Sequence, residues 1–202
     1  MSEVTEVVAA IREGRIAVIP TDTVYGLACT PYRPEPVRAL AEIKRRPPEQ
    51  PIALVAASVD RLLECIPELG GRAAVLARRL LPGPYTLVLP NPGRRFPWLS
   101  GNRPDAIGVR VPAASGAGAV ILEHVGAIAA TSANRHGEPD PRRLEDVPED
   151  ILALVAAAVD AGELPGTPST VLDLTGEEPR VLREGAVPAG EALARVASEP
   201  AE

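Results

Sequence analysis

The spacing of apolar residues changes along the chain, and each change marks a predicted element. Val4, Val7, Val8 and Ile11 recur at the spacing of one helix face, and Gly14 ends that segment. Short apolar runs bounded by Gly, Pro or polar residues predict strands instead. Further helices are predicted over residues 35–45, 58–66, 72–81, 116–124, 148–158 and 189–196. Strands are predicted over residues 15–20, 51–56, 85–89, 106–111, 127–130, 169–174 and 180–182.

Helices and strands alternate over much of the chain, which predicts an α/β fold class. The last two predicted strands are separated only by TGEEP, which is hairpin spacing, so the sheet is predicted to be mixed. We expect one domain over residues 1–202, with its core at about residues 4–187 and a C-terminal tail over residues 188–202. The last residues of that tail are expected to fray.

Composition restricts the setting and excludes several functional classes. Aromatic residues make up only 2% of the chain and apolar residues 46%, so the core must be aliphatic. No apolar run approaches the ~20 residues of a membrane span, and the first residues lack the basic region of a signal peptide. Cys29 and Cys65 have neither metal-site nor disulfide spacing. We therefore expect a cytoplasmic protein without a membrane partner, and the net charge of −6 argues against a general polyanion-binding surface.

The common catalytic signatures are absent from the sequence. There is no GxxxxGK[ST] phosphate loop, no GxGxxG after a strand, no HExxH and no GxSxG. The SGAG stretch at residues 115–118 opens a predicted helix and is interpreted as packing. His124 lies near a helix C-terminus, where a structural role is the default. Cys29 is either a nucleophile or, more commonly for such a residue, a buried and inert thiol.

Five polar clusters follow predicted strands or end predicted helices, which is where open α/β sheets bind ligands. They are TDTVYG after the first strand, KRR at a helix end, an arginine within IGVRVP, TSAN after AIAA, and PST followed by LREG. Each cluster also has an ordinary structural interpretation as a turn, a cap or a solvated charge.

Basic residues in two of these clusters suit an anionic ligand. Lys44 is the single lysine among 21 basic residues, and with Arg46 it brackets a helix end. A lysine point charge beside an arginine fork suits phosphate, whereas complementing the helix dipole is the alternative. Arg110 lies opposite its apolar neighbours Val109 and Val111 on a strand. If its face is enclosed it needs a carboxylate or phosphate partner, and if the strand is an edge strand it faces solvent.

Taken in order, these clusters resemble the YrdC-like threonylcarbamoyl-AMP synthase family in its short, single-domain form. The resemblance extends from Pro20 to Val187. The matching stretches are PTDTVYGL, KRRP, LPGPYTLVL, IGVRVP, TSAN with a following Gly, PSTVLDL and VLREGAV.

The resemblance implies a twisted, open α/β sheet with flanking helices around a basic cavity. It implies synthesis of L-threonylcarbamoyladenylate from L-threonine, bicarbonate or CO2, and ATP, with Mg2+ assisting and pyrophosphate released. Such a nucleotidyltransferase works by positioning and charge stabilisation, and needs no catalytic side chain that forms a covalent bond. The implied partners are the transferase proteins that modify an adenosine beside the tRNA anticodon, and tRNA itself.

The resemblance also assigns roles to individual positions. It implies ATP binding by Lys44, Arg46, Gln50, Ser132, Asn134 and Arg183. It implies threonine binding by Thr23, Arg110, Ala130 and Ser169, with Arg110 pairing the carboxylate. Two positions depart from the family pattern: His136 replaces a small hydroxyl residue, and Val55 lies near a position where relatives carry histidine.

Three other functions compete with this one. A non-catalytic RNA-binding module is disfavoured by the acidic net charge and the scarcity of aromatic residues for base stacking. A carbamoyl-adenylate-forming domain is disfavoured because no accessory domain is evident. A regulatory paralogue that only binds nucleotide is disfavoured because Lys44, Arg46, Arg110, Ser132 and Asn134 are all present.

Overall fold

A computed structural model describes residues 2–198 and contains a nine-stranded sheet with helices on both faces. The helices are α1 (Glu3–Glu13), α2 (Pro34–Lys44), α3 (Val59–Cys65), α4 (Gly71–Leu80), α5 (Gly116–Val125), α6 (Glu149–Leu152) and α7 (Ala189–Ala197). The strands are β1 (Ala17–Pro20), β2 (Tyr25–Cys29), β3 (Ala53–Ala56), β4 (Tyr85–Pro90), β5 (Ala106–Arg110), β6 (Ala127–Ser132), β7 (Ala157–Ala158), β8 (Thr170–Asp173) and β9 (Arg180–Arg183). The predicted fraying of the chain end concerns residues 199–202, which lie outside the described residues.

The strand order is β7-β1-β2-β6-β3-β5-β4-β8-β9. Three neighbouring pairs, β1–β7, β3–β5 and β4–β8, are parallel, and the remaining pairs are antiparallel. The predicted α/β class with a mixed, open sheet is therefore confirmed, including the C-terminal hairpin of β8 and β9. Across the helices of residues 2–198, none combines the length and apolarity needed to span a bilayer.

The two faces of the sheet are covered unequally. On one face α2, α3, α4 and α7 pack over β2, β3, β4 and β9 and enclose the larger aliphatic core. On the other face α1 and α5 pack over β7, β1, β2 and β6, around a smaller core. The burial of β4 shows this unequal cover. Tyr85, Leu87 and Leu89 on one face are buried, whereas Thr86 and Val88 on the opposite face are only half-buried. The half of the sheet that α1 and α5 do not cover, which includes β4 and β5, is therefore left open on this face.

Caps and close contacts explain where several elements begin and end. Ser2 caps α1 by accepting from the Thr5 amide at 3.3 Å, and Gly14 ends that helix in the left-handed conformation with φ +84°. In the SGAG stretch, a Cβ added at Gly118 would lie 2.4 Å from the Pro20 carbonyl oxygen. Only glycine allows α5 to approach β1 this closely, which supports the packing interpretation.

Two sequence predictions differ from the structure. The strand β2 was not predicted, because all five of its residues are buried and the stretch YGLAC shows no alternation. The helix predicted over residues 148–158 was wrong: only Glu149–Leu152 is helical, and Ala157–Ala158 forms the edge strand β7. The Ala156 amide donates to the Ile16 carbonyl at 2.8 Å, and the Val159 amide donates to the Val18 carbonyl at 3.2 Å. Pairing with the β1 segment therefore outweighs the helix propensity of this alanine-rich run.

A buried tyrosine joins β2 to the segment that follows β7. Tyr25 is 0% exposed, and its hydroxyl lies 2.8 Å from the Gly162 carbonyl oxygen and 3.1 Å from a carboxylate oxygen of Asp160. The same hydroxyl accepts from the Ala161 amide at 2.9 Å. Burial raises the pKa of this phenol, so it stays protonated and able to donate.

Replacing Tyr25 by Phe is expected to lower the free energy of unfolding by about 1–3 kcal/mol, because buried backbone groups lose their partner. The control is Tyr32→Phe, since Tyr32 is 56% exposed and should change stability by less than about 0.5 kcal/mol. Thermal or urea unfolding measures both variants. Equal stability of the two variants would show that the Tyr25 hydroxyl does not tie these segments together.

Candidate active site

A cavity of about 540 Å³ lies above the open half of the sheet, within the usual size range for small-molecule sites. Half-buried side chains of β4 and β5 form its floor, and loops at the ends of α2, β6 and β8 form its rim. Nine of the ten residues predicted to bind substrates line it: Lys44, Arg46, Gln50, Arg110, Ala130, Ser132, Asn134, Ser169 and Arg183. The tenth, Thr23, is 2% exposed and contacts Arg110 from outside the cavity lining.

Lys44 connects the end of α2 to the loop after β6. Its side chain is 3% exposed, and its ammonium donates to the Ser132 carbonyl at 2.6 Å, the Ser132 hydroxyl at 3.1 Å and the Asn134 carbonyl at 3.1 Å. It also contacts the Asn134 side-chain oxygen. Burial lowers the pKa of Lys44 to about 8, with Arg46 contributing further, while the oxygen acceptors favour the charged amine. The sequence-distant KRR and TSAN clusters therefore form one unit.

Arg46 and Arg183 lie near Lys44, and each donates to a backbone carbonyl. Arg46 donates to the Pro51 carbonyl at 2.7 Å, and Arg183 donates to the Ser169 carbonyl at 2.8 Å. Burial, with a contribution from the nearby Arg183 charge, lowers the pKa of Arg46. Neither arginine nor Lys44 has a carboxylate within ion-pair distance among residues 2–198. Backbone oxygens orient these three cations without neutralising them, so the cavity retains positive charge.

Arg110 differs from the other cations because it has an internal carboxylate partner. The strand β5 lies between β3 and β4, so the alternative of a solvent-facing arginine on an edge strand is wrong. The Arg110 side chain is 11% exposed, pairs with Asp22 through Nη2, and donates from the same nitrogen to the Thr23 hydroxyl at 2.8 Å. Asp22 in turn accepts from the Ala113 amide at 3.0 Å. Burial lowers the pKa of Arg110, and its Nε is buried without a hydrogen-bond partner in the described structure.

His136 and Gln50 face each other at the rim of the cavity. The Gln50 side-chain nitrogen lies 3.3 Å from His136 Nε2, and the His136 amide donates to the Lys44 carbonyl at 3.2 Å. The departure from the family pattern at His136 therefore adds an exposed imidazole at the rim and leaves the Lys44 contacts in place.

Sequence reasoning missed several polar residues in and around this site, and three of them matter most for its geometry and charge. Asp22 is inside the TDT motif but was not assigned a role. Asp140 lines the cavity and raises the pKa of Lys44 by its charge. Thr86 lines the floor and lies 2.8 Å from the Ser169 hydroxyl. The alternation of β4 could have identified Thr86, since Tyr85 and Leu87 on either side are core residues.

Two other kinds of site chemistry receive no support from the geometry. Cys29 is 0% exposed within the core, and burial raises its pKa to about 12, which supports the inert-thiol interpretation. Within residues 2–198, no three His, Cys, Asp or Glu side chains cluster as metal ligands. A divalent cation would have to bind through an isolated carboxylate together with its ligand's own oxygens.

Comparisons with known proteins extend these observations. The model of the Sua5/YciO/YrdC family, described as telomere recombination, matches residues 9–185. The threonylcarbamoyl-AMP synthase of Pyrococcus abyssi is 38% identical over 179 residues, covering 88% of this chain and 52% of that protein. The threonylcarbamoyl-AMP synthase of Bacillus subtilis is 32% identical over 187 residues, covering 92% of this chain and 54% of that protein.

A solved structure of a relative has the same fold as this chain. The crystal structure of P. abyssi Sua5 complexed with L-threonine superposes with a TM-score of 0.87 at 34% identity, covering 98% of this chain and 58% of that chain. The present chain thus spans about half the length of these relatives. The family match covers most of the chain and includes every predicted site residue. The chain therefore belongs to the Sua5/YciO/YrdC family.

Proposed function

We propose that the chain binds ATP and L-threonine side by side in the cavity and forms L-threonylcarbamoyladenylate with bicarbonate or CO2. This reaction releases pyrophosphate and makes the protein a nucleotidyltransferase. The observation that carries the proposal is the group of three cations, Lys44, Arg46 and Arg183, which line one cavity without carboxylate partners in the described chain. The names of the relatives and the threonine bound to P. abyssi Sua5 agree with it.

The charge distribution favours a polyanion in one part of the cavity. The three cations are fixed by neutral oxygens, so a triphosphate would supply the negative charge that these oxygens do not. The predicted ATP ligands Ser132 and Asn134 lie on the loop that Lys44 holds. Preorganised donors of this kind stabilise charge on phosphate oxygens without reorganising during the reaction.

A carboxylate ligand is favoured next to Arg110. Arg110 lines the cavity, while Asp22 and Thr23, which lie outside the lining, hold its Nη2. The buried Nε has no hydrogen-bond partner among the described residues, so Asp22 and Thr23 do not satisfy all donors of this guanidinium. Ala130 and Ser169, for which a threonine role is also predicted, line the same cavity.

In the proposed reaction the threonine amine nitrogen forms a bond to the carbon of CO2 and loses a proton, which gives a carbamate. A carbamate oxygen then bonds to the α-phosphorus of ATP, and the bond from that phosphorus to the pyrophosphate oxygen breaks. Mg2+, bound with ATP, would neutralise part of the phosphate charge. Asp140 suits it, because this half-buried carboxylate lines the cavity near Lys44 and has no ion pair within the described part of the chain.

The proposal extends to the cellular role. The product is an activated donor, so a transferase must accept the threonylcarbamoyl group and pass it to an adenosine of tRNA. A cytoplasmic location, where ATP and tRNA are available, belongs to the same proposal.

The test of the proposed function is pyrophosphate release from ATP in bicarbonate buffer, with L-threonine and with L-serine as control. The proposal predicts release that depends on L-threonine. If folded protein releases no pyrophosphate with any amino acid, the cavity is a binding or regulatory site instead.

The Lys44→Ala variant is expected to lower kcat/KM for ATP by roughly 10- to 100-fold, since it removes a buried cation and frees the Ser132–Asn134 loop. The cost in unfolding free energy should stay near 1–3 kcal/mol. The matched control is Arg45→Ala, because Arg45 ends the same helix but its side chain is 74% exposed. Similar kinetics for both variants would exclude a role of Lys44 in ATP use.

The Arg110→Lys variant is expected to raise the KM for L-threonine about tenfold while the KM for ATP changes little, because lysine keeps the charge but loses the planar fork. Lysine also keeps a cation beside the buried Asp22, which limits the loss of stability. Steady-state kinetics with each substrate varied in turn gives both constants. Equal changes in the two constants would contradict a specific threonine role.

A further inference from the structure

We infer that the Thr86 hydroxyl is an additional substrate contact, donating a hydrogen bond to the carboxylate that Arg110 binds, and that Ser169 orients it. This inference rests on the proposed binding of L-threonine in the cavity and assigns that site a residue and a donor atom.

The strand register places Thr86 beside Arg110. In the β4–β5 pair Leu87 lies opposite Val109, so Thr86 lies opposite Arg110 and on the same face of the sheet. Side chains directly opposite in antiparallel strands have Cβ atoms roughly 4.5–5.5 Å apart. Of the β4 side chains that line the cavity, Thr86 is polar and Val88 is apolar. A ligand group held by Arg110 at this floor therefore lies within reach of the Thr86 hydroxyl.

A chain of hydrogen bonds fixes the direction in which Thr86 donates. Arg183 Nη2 donates to the Ser169 hydroxyl at 3.3 Å, and the Ser169 and Thr86 hydroxyls are 2.8 Å apart. Ser169 is 2% exposed, and within the described residues Thr86 is the acceptor its own proton can reach. A buried hydroxyl without an acceptor is unfavourable, so Ser169 donates to Thr86. The proton of the half-buried Thr86 hydroxyl is then left for a group in the cavity.

The hydrogen bonds of Arg110 explain why a carboxylate needs this second donor. A carboxylate that pairs through both of its oxygens uses two neighbouring N–H groups of the guanidinium. The two edges that offer such groups, Nε with Nη2 and Nη1 with Nη2, both include Nη2. Nη2 already donates to Asp22 and to the Thr23 hydroxyl. An incoming carboxylate can therefore pair one oxygen with the remaining guanidinium donors, and its second oxygen needs another partner. Thr86, on the adjacent strand, supplies it.

Calorimetric titration of the full chain with L-threonine, and separately with ATP, tests this arrangement. Thr86→Val removes the hydroxyl but keeps the branched shape, and should raise the dissociation constant for L-threonine about tenfold or more while leaving that for ATP unchanged. Thr86→Ser retains the hydroxyl and should remain within about threefold of the parent protein. Ser169→Ala removes the group that orients Thr86 but leaves the Thr86 hydroxyl in place, so it should weaken threonine binding less than Thr86→Val does.

Three outcomes would overturn the inference. One is a cooperatively melting Thr86→Val protein that binds L-threonine as tightly as the parent, with Thr86→Ala used if the valine variant does not fold. The second is a larger loss in Ser169→Ala than in Thr86→Val, which would place Ser169 against the ligand. The third is a parent protein that binds no L-threonine, which also removes the proposed function, whereas the first two leave that function standing.

Discussion

The unequal cover of the sheet is the constraint on which the site depends. Four helices close one face, but α1 and α5 close only half of the other, so β4 and β5 keep one face open to the cavity. Of the β4 and β5 side chains on this open face that line the cavity, Arg110 is charged whereas Thr86 and Val88 are not. Most of the positive charge comes from the ends of helices and strands, where the KRR and LREG clusters lie, and the uncharged TSAN cluster supplies oxygens that hold Lys44.

The way these charges are held determines what the cavity can bind. Lys44, Arg46 and Arg183 donate to backbone and hydroxyl oxygens, which fix their geometry without cancelling their charge. Lys44 is buried and Arg46 is half-buried, so their desolvation has a cost that a bound anion would offset, whereas Arg183 is exposed. Arg110 is already paired with Asp22, so it adds less net positive charge to the cavity than the other three cations do. The cavity thus has two electrostatically different regions, and the proposed reaction assigns the triphosphate to one and the amino acid to the other.

Sequence reasoning recovered the elements with clear periodicity or caps, and it recovered the polar clusters because they follow strands. It missed the strands β2 and β7, since short apolar runs carry no period and alanine-rich runs favour helix until sheet pairing intervenes. It placed Arg110 correctly on a strand but could not identify Asp22 as its partner, because that pairing joins residues 88 positions apart. Thr86 could be recognised only once the β4–β5 register put it opposite Arg110.

The most direct test of the account is the identity of the product. Purified protein is incubated with ATP, L-threonine and bicarbonate labelled with carbon-13, and the nucleotide products are analysed by mass spectrometry. The account predicts a nucleotide that contains AMP, threonine and the labelled carbon together. A threonine-containing adenylate without the label, or the absence of any nucleotide linked to threonine from active, folded protein, would contradict it.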